Sequence, residues 1–205
     1  MEARARSRVR RLHSLSGVVP VGGFLVFHLA GNVSAARGAD AYNETARRLQ
    51  QLPLVALAEI LLIALPLFFH ALYGLFLTAA HPTGDPGLSA GRRRLAVFQR
   101  ATGILAFFFI LFHLWTTRLV QVRDHESLDL FHLMQALLAS PWIRSTYVVG
   151  LLAATAHFSA GLWSFADGWG LARTRRARIA AAAVAGAVFA SLSGLGFVSL
   201  WSFRL

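Results

Sequence analysis

The chain of 205 residues alternates long apolar runs with short polar stretches, and five runs are long enough to cross a bilayer. A hydrocarbon layer of about 30 Å takes roughly 20 residues of helix. Runs near residues 16–36, 54–80, 98–120, 143–166 and 179–201 meet that length. Lipid cannot satisfy a bare backbone, so each run is predicted to be α-helical, with neighbouring groups covering what Pro20 and Pro66 disturb. The pattern therefore predicts an all-α fold: an integral membrane bundle of five transmembrane helices, with residues 1–205 forming one domain and the first four helices forming a four-helix bundle. Residues 127–139, SLDLFHLMQALLA, are amphipathic and are predicted to lie along the outer surface. HPTGDPG from His81 reads as a turn.

Composition agrees, with 56% apolar and only 14% charged residues and a mean hydropathy of +0.56. Charge adds direction. All 20 basic residues are arginines. Arg4, Arg6, Arg8, Arg10 and Arg11 precede the first run, Arg92, Arg93, Arg94 and Arg100 open the third, and Arg173, Arg175, Arg176 and Arg178 precede the fifth. The other seven lie at the opposite end, mixed with acids. Short loops rich in Lys and Arg stay in the cytoplasm, which predicts the N-terminus inside and the C-terminus outside. The net charge of +11 is gathered at membrane boundaries and not on an aromatic-studded soluble face, so it points to topology and anionic lipid and not to nucleic acid. An arginine-rich start before an apolar run also resembles a signal peptide. The run is longer than a typical leader core and contains Pro20 and His28, so it is read as a mature helix.

The absence of cysteine excludes disulfides, thiolate-bound iron–sulfur clusters and covalently attached haem. Any metal must rest on histidine or oxygen. Of eight histidines, four fall within the runs: His28, His70, His113 and His157, one in each of the first four helices. At 1.5 Å per residue, His28 and His113 lie roughly 12 and 10 Å below the outer rim, and His70 and His157 roughly 24 and 21 Å. The set thus forms two layers. Helices one and three face each other diagonally in an antiparallel bundle, as do two and four, so each histidine pair is predicted to span the centre. A flat macrocycle held from both faces by two imidazoles fits this arrangement, whereas zinc wants three or four ligands at one depth.

Gly74 and Gly161 follow the inner histidines by four residues, where they are expected to leave room for a ring, although glycine also serves helix packing. The outer pair has Asn32 and Thr117 at that offset, suited either to a propionate or quinone or to capping a helix end. FHL recurs at 27 and 112, and the intervals from first to second histidine are 42 and 44 residues, which suits a duplicated helix pair, although FHL also occurs at 131 outside any run. With both axial positions filled, such haems would carry electrons and bind no oxygen. Two other classes stay open on these residues: a transporter or proton channel using the histidines as a relay, and a haem-free anchor.

RRLHSLSGVVPVGGFLVFHLAGN, the YNE that follows, FFHALYG, LFHLW and HFSAGLWSF together resemble the dihaem cytochrome b subunit of succinate:quinone oxidoreductase, in the five-helix class whose single polypeptide carries both haems. The resemblance covers essentially the whole chain. It implies two haem b groups, a distal one on His28 and His113 and a proximal one on His70 and His157. It also implies a bacterial cytoplasmic membrane location, with a flavoprotein subunit and an iron–sulfur subunit on the cytoplasmic side, for which this chain is anchor and electron conductor.

The resemblance further implies menaquinone or a related quinone near the distal haem, with Glu44 handling its protons; as a bare sequence feature Glu44 also fits an exposed loop charge. Glu59 in helix two is a second candidate acid. Some fumarate reductases of this class pass protons through a glutamate two residues before the proximal ligand of helix four, and here that position is Thr155. This departure argues against that path. His13 matches a family histidine near the inner face, suited to proximal haem propionates, to the iron–sulfur subunit or to a solvated interface. His81, His125 and His132 have no role assigned. No nucleophile triad, phosphate loop or clustered histidine box is found, which confines catalysis by this chain to quinone chemistry.

Overall fold

A computed structural model of the chain describes residues 2–80, 89–119 and 129–204. His81, the rest of HPTGDPG, and His125 lie outside the described residues. Among the described residues there is no strand. Five helices are long and apolar enough to cross a membrane: Arg8–Arg37, Val55–Ala80, Ala90–Thr116, Pro141–Gly168 and Arg175–Ser202, hereafter the first to fifth spans. The first, third and fifth begin earlier than hydropathy predicts, the first and fifth inside their arginine clusters and the third two residues before its own. Arginine is a good helix former, and its aliphatic stem lies along apolar surface while the guanidinium stays in water. Hydropathy marks where hydrocarbon is crossed, and the helix continues past that point.

Successive spans run antiparallel. Arg92 at the start of the third pairs with Asp167 at the end of the fourth at 3.2 Å, and Glu59 near the start of the second pairs with Arg118 just past the third at 2.6 Å. The first four spans close a ring in sequence order, and the fifth packs outside it on the first and fourth. The fourth and fifth meet through small residues. Thr155, fully buried, shares a 2.9 Å hydrogen bond with Ser193, and a Cβ at Gly196 would come within 2.4 Å of Leu151.

Both intramembrane prolines are handled by π-helical turns. Pro20 lies inside the turn Gly17–Val21, and Pro66 follows the turn Glu59–Ala64. Proline lacks a donor and crowds the preceding turn, and a widened turn absorbs both faults.

The outward surface is apolar, with Phe68, Phe108 and Leu62 all more than half exposed, as lipid contact requires. The five tryptophans fall into two belts: Trp115, Trp142 and Trp201 at the arginine-poor end, Trp163 and Trp169 at the other. The arginine-poor end is roofed by two further helices. After a turn through Gly38 at φ 94°, helix Ala39–Gln50 returns across the bundle, and the amphipathic helix Leu130–Ala139 lies beside it. Phe131, Met134 and Leu138 form the latter's buried face and pack with Ala35, Tyr147 and Phe203. The amphipathic helix was expected, and its first two predicted residues, 127 and 128, lie outside the described ones. Helix Ala39–Gln50 was not, because its apolar positions are sparse.

Candidate cofactor site between the first four helices

The four intramembrane histidines meet in two transverse pairs. His28 and His113 have ring centroids 5.8 Å apart, and His70 and His157 have centroids 6.0 Å apart. An imidazole nitrogen binds a transition metal at about 2 Å, so two rings on opposite sides of one ion stand with centres on the order of 6 Å apart. Both pairs have that separation. Among the described residues, no three or more His, Cys, Asp or Glu gather as a metal cluster, so each layer offers two ligands only.

The nitrogen each ring would present is set by what holds the other. His70 Nδ1 lies 3.1 Å from the carbonyl of His13, and His157 Nδ1 lies 2.9 Å from the carbonyl of Gln99. A carbonyl only accepts, so both rings carry their proton on Nδ1 and keep the Nε2 lone pair for a metal. His113 Nδ1 faces the hydroxyl of buried Tyr147 at 3.3 Å, and that hydroxyl reaches Thr116 at 3.0 Å.

The inner layer is built twice over. His13 and Gly17 of the first span face His70; Gln99 and Gly103 of the third face His157. A Cβ at Gly17 would lie 2.3 Å from the His70 ring, and one at Gly103 would lie 2.8 Å from that of His157, so only glycine admits either ring. Ser16 donates to the carbonyl of His13 at 2.8 Å, and Thr102 donates to that of Gln99 at 3.2 Å. The duplicated helix pair suggested by FHL thus extends to the groups that hold the inner histidines.

Several expectations change. Gly74 faces the His13 side chain and Gly161 that of Gln99, each with a Cβ distance of 3.3 Å. The glycines that admit the inner imidazoles themselves, Gly17 and Gly103, come from the neighbouring helices, a relation between spans that spacing within one helix does not reveal. Thr117 donates to the carbonyl of His113 at 2.6 Å and Asn32 donates to that of His28 at 2.7 Å, so both serve the helix end. Tyr42 on the roof donates to Asn32 at 3.0 Å, and burial followed by neighbouring Tyr147 pushes its phenol up to about 12, which keeps it a neutral donor. Thr155 faces Ser193 of the fifth span.

His13 stacks on His70 with centroids 4.2 Å apart and planes 8° from parallel. Its Nδ1 and the Oε1 of Gln99 are buried with no hydrogen-bond partner among the described residues. Two orphaned polar atoms thus flank the inner pair, groups that a polar group of a bound molecule would satisfy. Glu44 sits on the roof helix paired with Arg47 and Arg48, the latter at 2.6 Å. His132 lies on the amphipathic helix, 2.6 Å from Asp129.

Fold and site together define a class: an all-α membrane protein whose ring of four helices carries two transverse histidine pairs, one above the other. The chain belongs to the succinate dehydrogenase/fumarate reductase transmembrane subunits. Residues 94–194 match the model of that family. Over 194 residues the chain is 41% identical to the succinate dehydrogenase cytochrome b558 subunit of Bacillus subtilis (strain 168), with 95% of each chain covered. It is thus a multi-pass membrane subunit of that class of enzyme complex.

Proposed function

We propose that this chain anchors its complex and carries electrons through two bis-histidine b haems between an iron–sulfur subunit and a quinone of the menaquinone type. The observation that carries the reading is the pair of histidine couples, each spaced for one metal ion between two rings. The name of the Bacillus subtilis relative, a cytochrome b558 subunit, supports it. His28 and His113 would hold the outer, distal group; His70 and His157 would hold the inner, proximal one. Bound there, each haem supplies a one-electron carrier.

The remaining work belongs to the protein. Carbonyls of His13 and Gln99 hold Nδ1 of the inner imidazoles and leave Nε2 for the iron, and Gly17 and Gly103 admit the rings. His13, whose buried Nδ1 has no partner among the described residues and whose ring stacks on His70, would receive a propionate of the proximal haem. Glu44, held by Arg47 and Arg48 at the arginine-poor face, is the proposed proton-handling group for quinone. The arginine-rich end faces the cytoplasm, where the flavoprotein and iron–sulfur subunits dock, and the C-terminus faces outward.

The test is the reduced-minus-oxidised visible spectrum of the purified complex, with haem counted per chain, for the native protein and for His28→Ala and His70→Ala. Two b-type components are expected, each substitution removing or perturbing a different one. A native complex without haem, or one whose haem is indifferent to both changes, would refute the proposal.

A further inference from the structure

The third and fifth spans both lean on the fourth, and at the arginine-rich end they leave a cavity of about 300 Å³ between them. We propose that this cavity binds the phosphate headgroup of an anionic phospholipid. Arg92 enters it from the third span and Arg178 from the fifth. Arg92 is steadied by Asp167 at 3.2 Å yet remains half exposed. The guanidinium of Arg178 has no carboxylate or hydrogen-bond partner among the described residues. Among the described residues, two guanidinium groups against one carboxylate leave an excess of positive charge at the cavity, and the planar fork of arginine matches the oxygens of a phosphate.

The other walls select lipid over a free anion. Leu95 and Trp163 line the same cavity, an apolar surface that a hydrated inorganic ion gains nothing from covering and that glycerol and the head of an acyl chain would cover. Trp163 belongs to the aromatic belt at this end, the depth at which headgroups meet hydrocarbon. Anionic lipids are attracted by clustered arginines at this face, and the cavity gives one of them a fixed seat.

Native mass spectrometry of the delipidated holo-complex, exposed to phosphatidylglycerol or phosphatidylcholine, tests the assignment. The native complex is expected to hold one phosphatidylglycerol more than a complex carrying Arg178→Gln, whose occupancy of that site falls at least about fivefold. Arg176→Gln removes the same charge from the same helix outside the cavity and is expected to keep the lipid. Leu95→Trp fills the cavity without changing charge and is expected to lose it. Equal losses in the two arginine variants, equal retention of phosphatidylcholine, an unaffected Leu95→Trp complex, or retention of inorganic phosphate in place of lipid would each overturn the proposal.

Discussion

At His113 the nitrogen Nδ1 faces a phenol, whereas at His70 and His157 it faces backbone carbonyls. If Nε2 serves a metal, the ring proton lies on Nδ1 and the oxygen of Tyr147 accepts it. The phenol proton then goes to Thr116, whose own hydroxyl donates to the carbonyl of Phe112 at 3.0 Å. Tyr147→Phe removes that acceptor, makes the ligand a poorer electron donor, and leaves a buried N–H unpaired at a cost of about 1–3 kcal/mol. Potentiometric titration of the variant should show one component raised by tens of millivolts, as a lost hydrogen bond implies, and the other unmoved. A shift of both equally would separate Tyr147 from the outer layer. Nothing in the sequence announced Tyr147, which lies 34 residues from His113 and belongs to no motif. The histidines themselves were legible because an ionisable group in an apolar run stands out against its surroundings. The groups that orient them are carbonyls, glycines and one aromatic, which look ordinary until helices are placed side by side.

Elements divide in the same way. Hydropathy located all five spans, yet it could not show that Pro20 and Pro66 are absorbed by π turns, because that depends on ring geometry and not on polarity. The roof is where local polar chemistry decides. Asp129 caps helix Leu130–Ala139, accepting the backbone N–H of His132 at 3.0 Å and the amide of Asn43 from the other roof helix at 2.8 Å. The backbone N–H of His132, then the side chains of Asn43 and His132, hold its carboxyl down to about 2. A depressed carboxyl stabilises the fold above its unfolded pKa of about 4, and that contribution fades as pH falls through about 2. Backbone hydrogen exchange in Leu130–Ala139, corrected for intrinsic rates, should therefore be alike at pH 7 and pH 5. Asp129→Ala, which removes a cap worth about 1 kcal/mol, should speed it several-fold at both. Strong pH dependence in the native protein over that interval would contradict the assignment.

For the whole molecule, alternation of five spans gathers the arginines of the first, third and fifth at one end, opposite the C-terminus. The chain has no cysteine, so single introduced thiols report sidedness without background. In intact cells a membrane-impermeant maleimide should label Arg204→Cys, whereas Arg176→Cys should react only after the membrane is opened; the reverse pattern would invert the proposed topology. The duplication was faintly legible in FHL and in the intervals of 42 and 44 residues, but its extent was not, since Gln99 stands where the first repeat has His13 and only the shared carbonyl role relates them. Because both units enter the membrane in the same sense, they are related by an axis along the membrane normal, and each histidine couple straddles that axis. Neither unit owns a complete couple. During synthesis the outer couple gains its second member only with the third span and the inner couple only with the fourth, so a ribosome that has released the first two spans has made half of each site and the whole of neither.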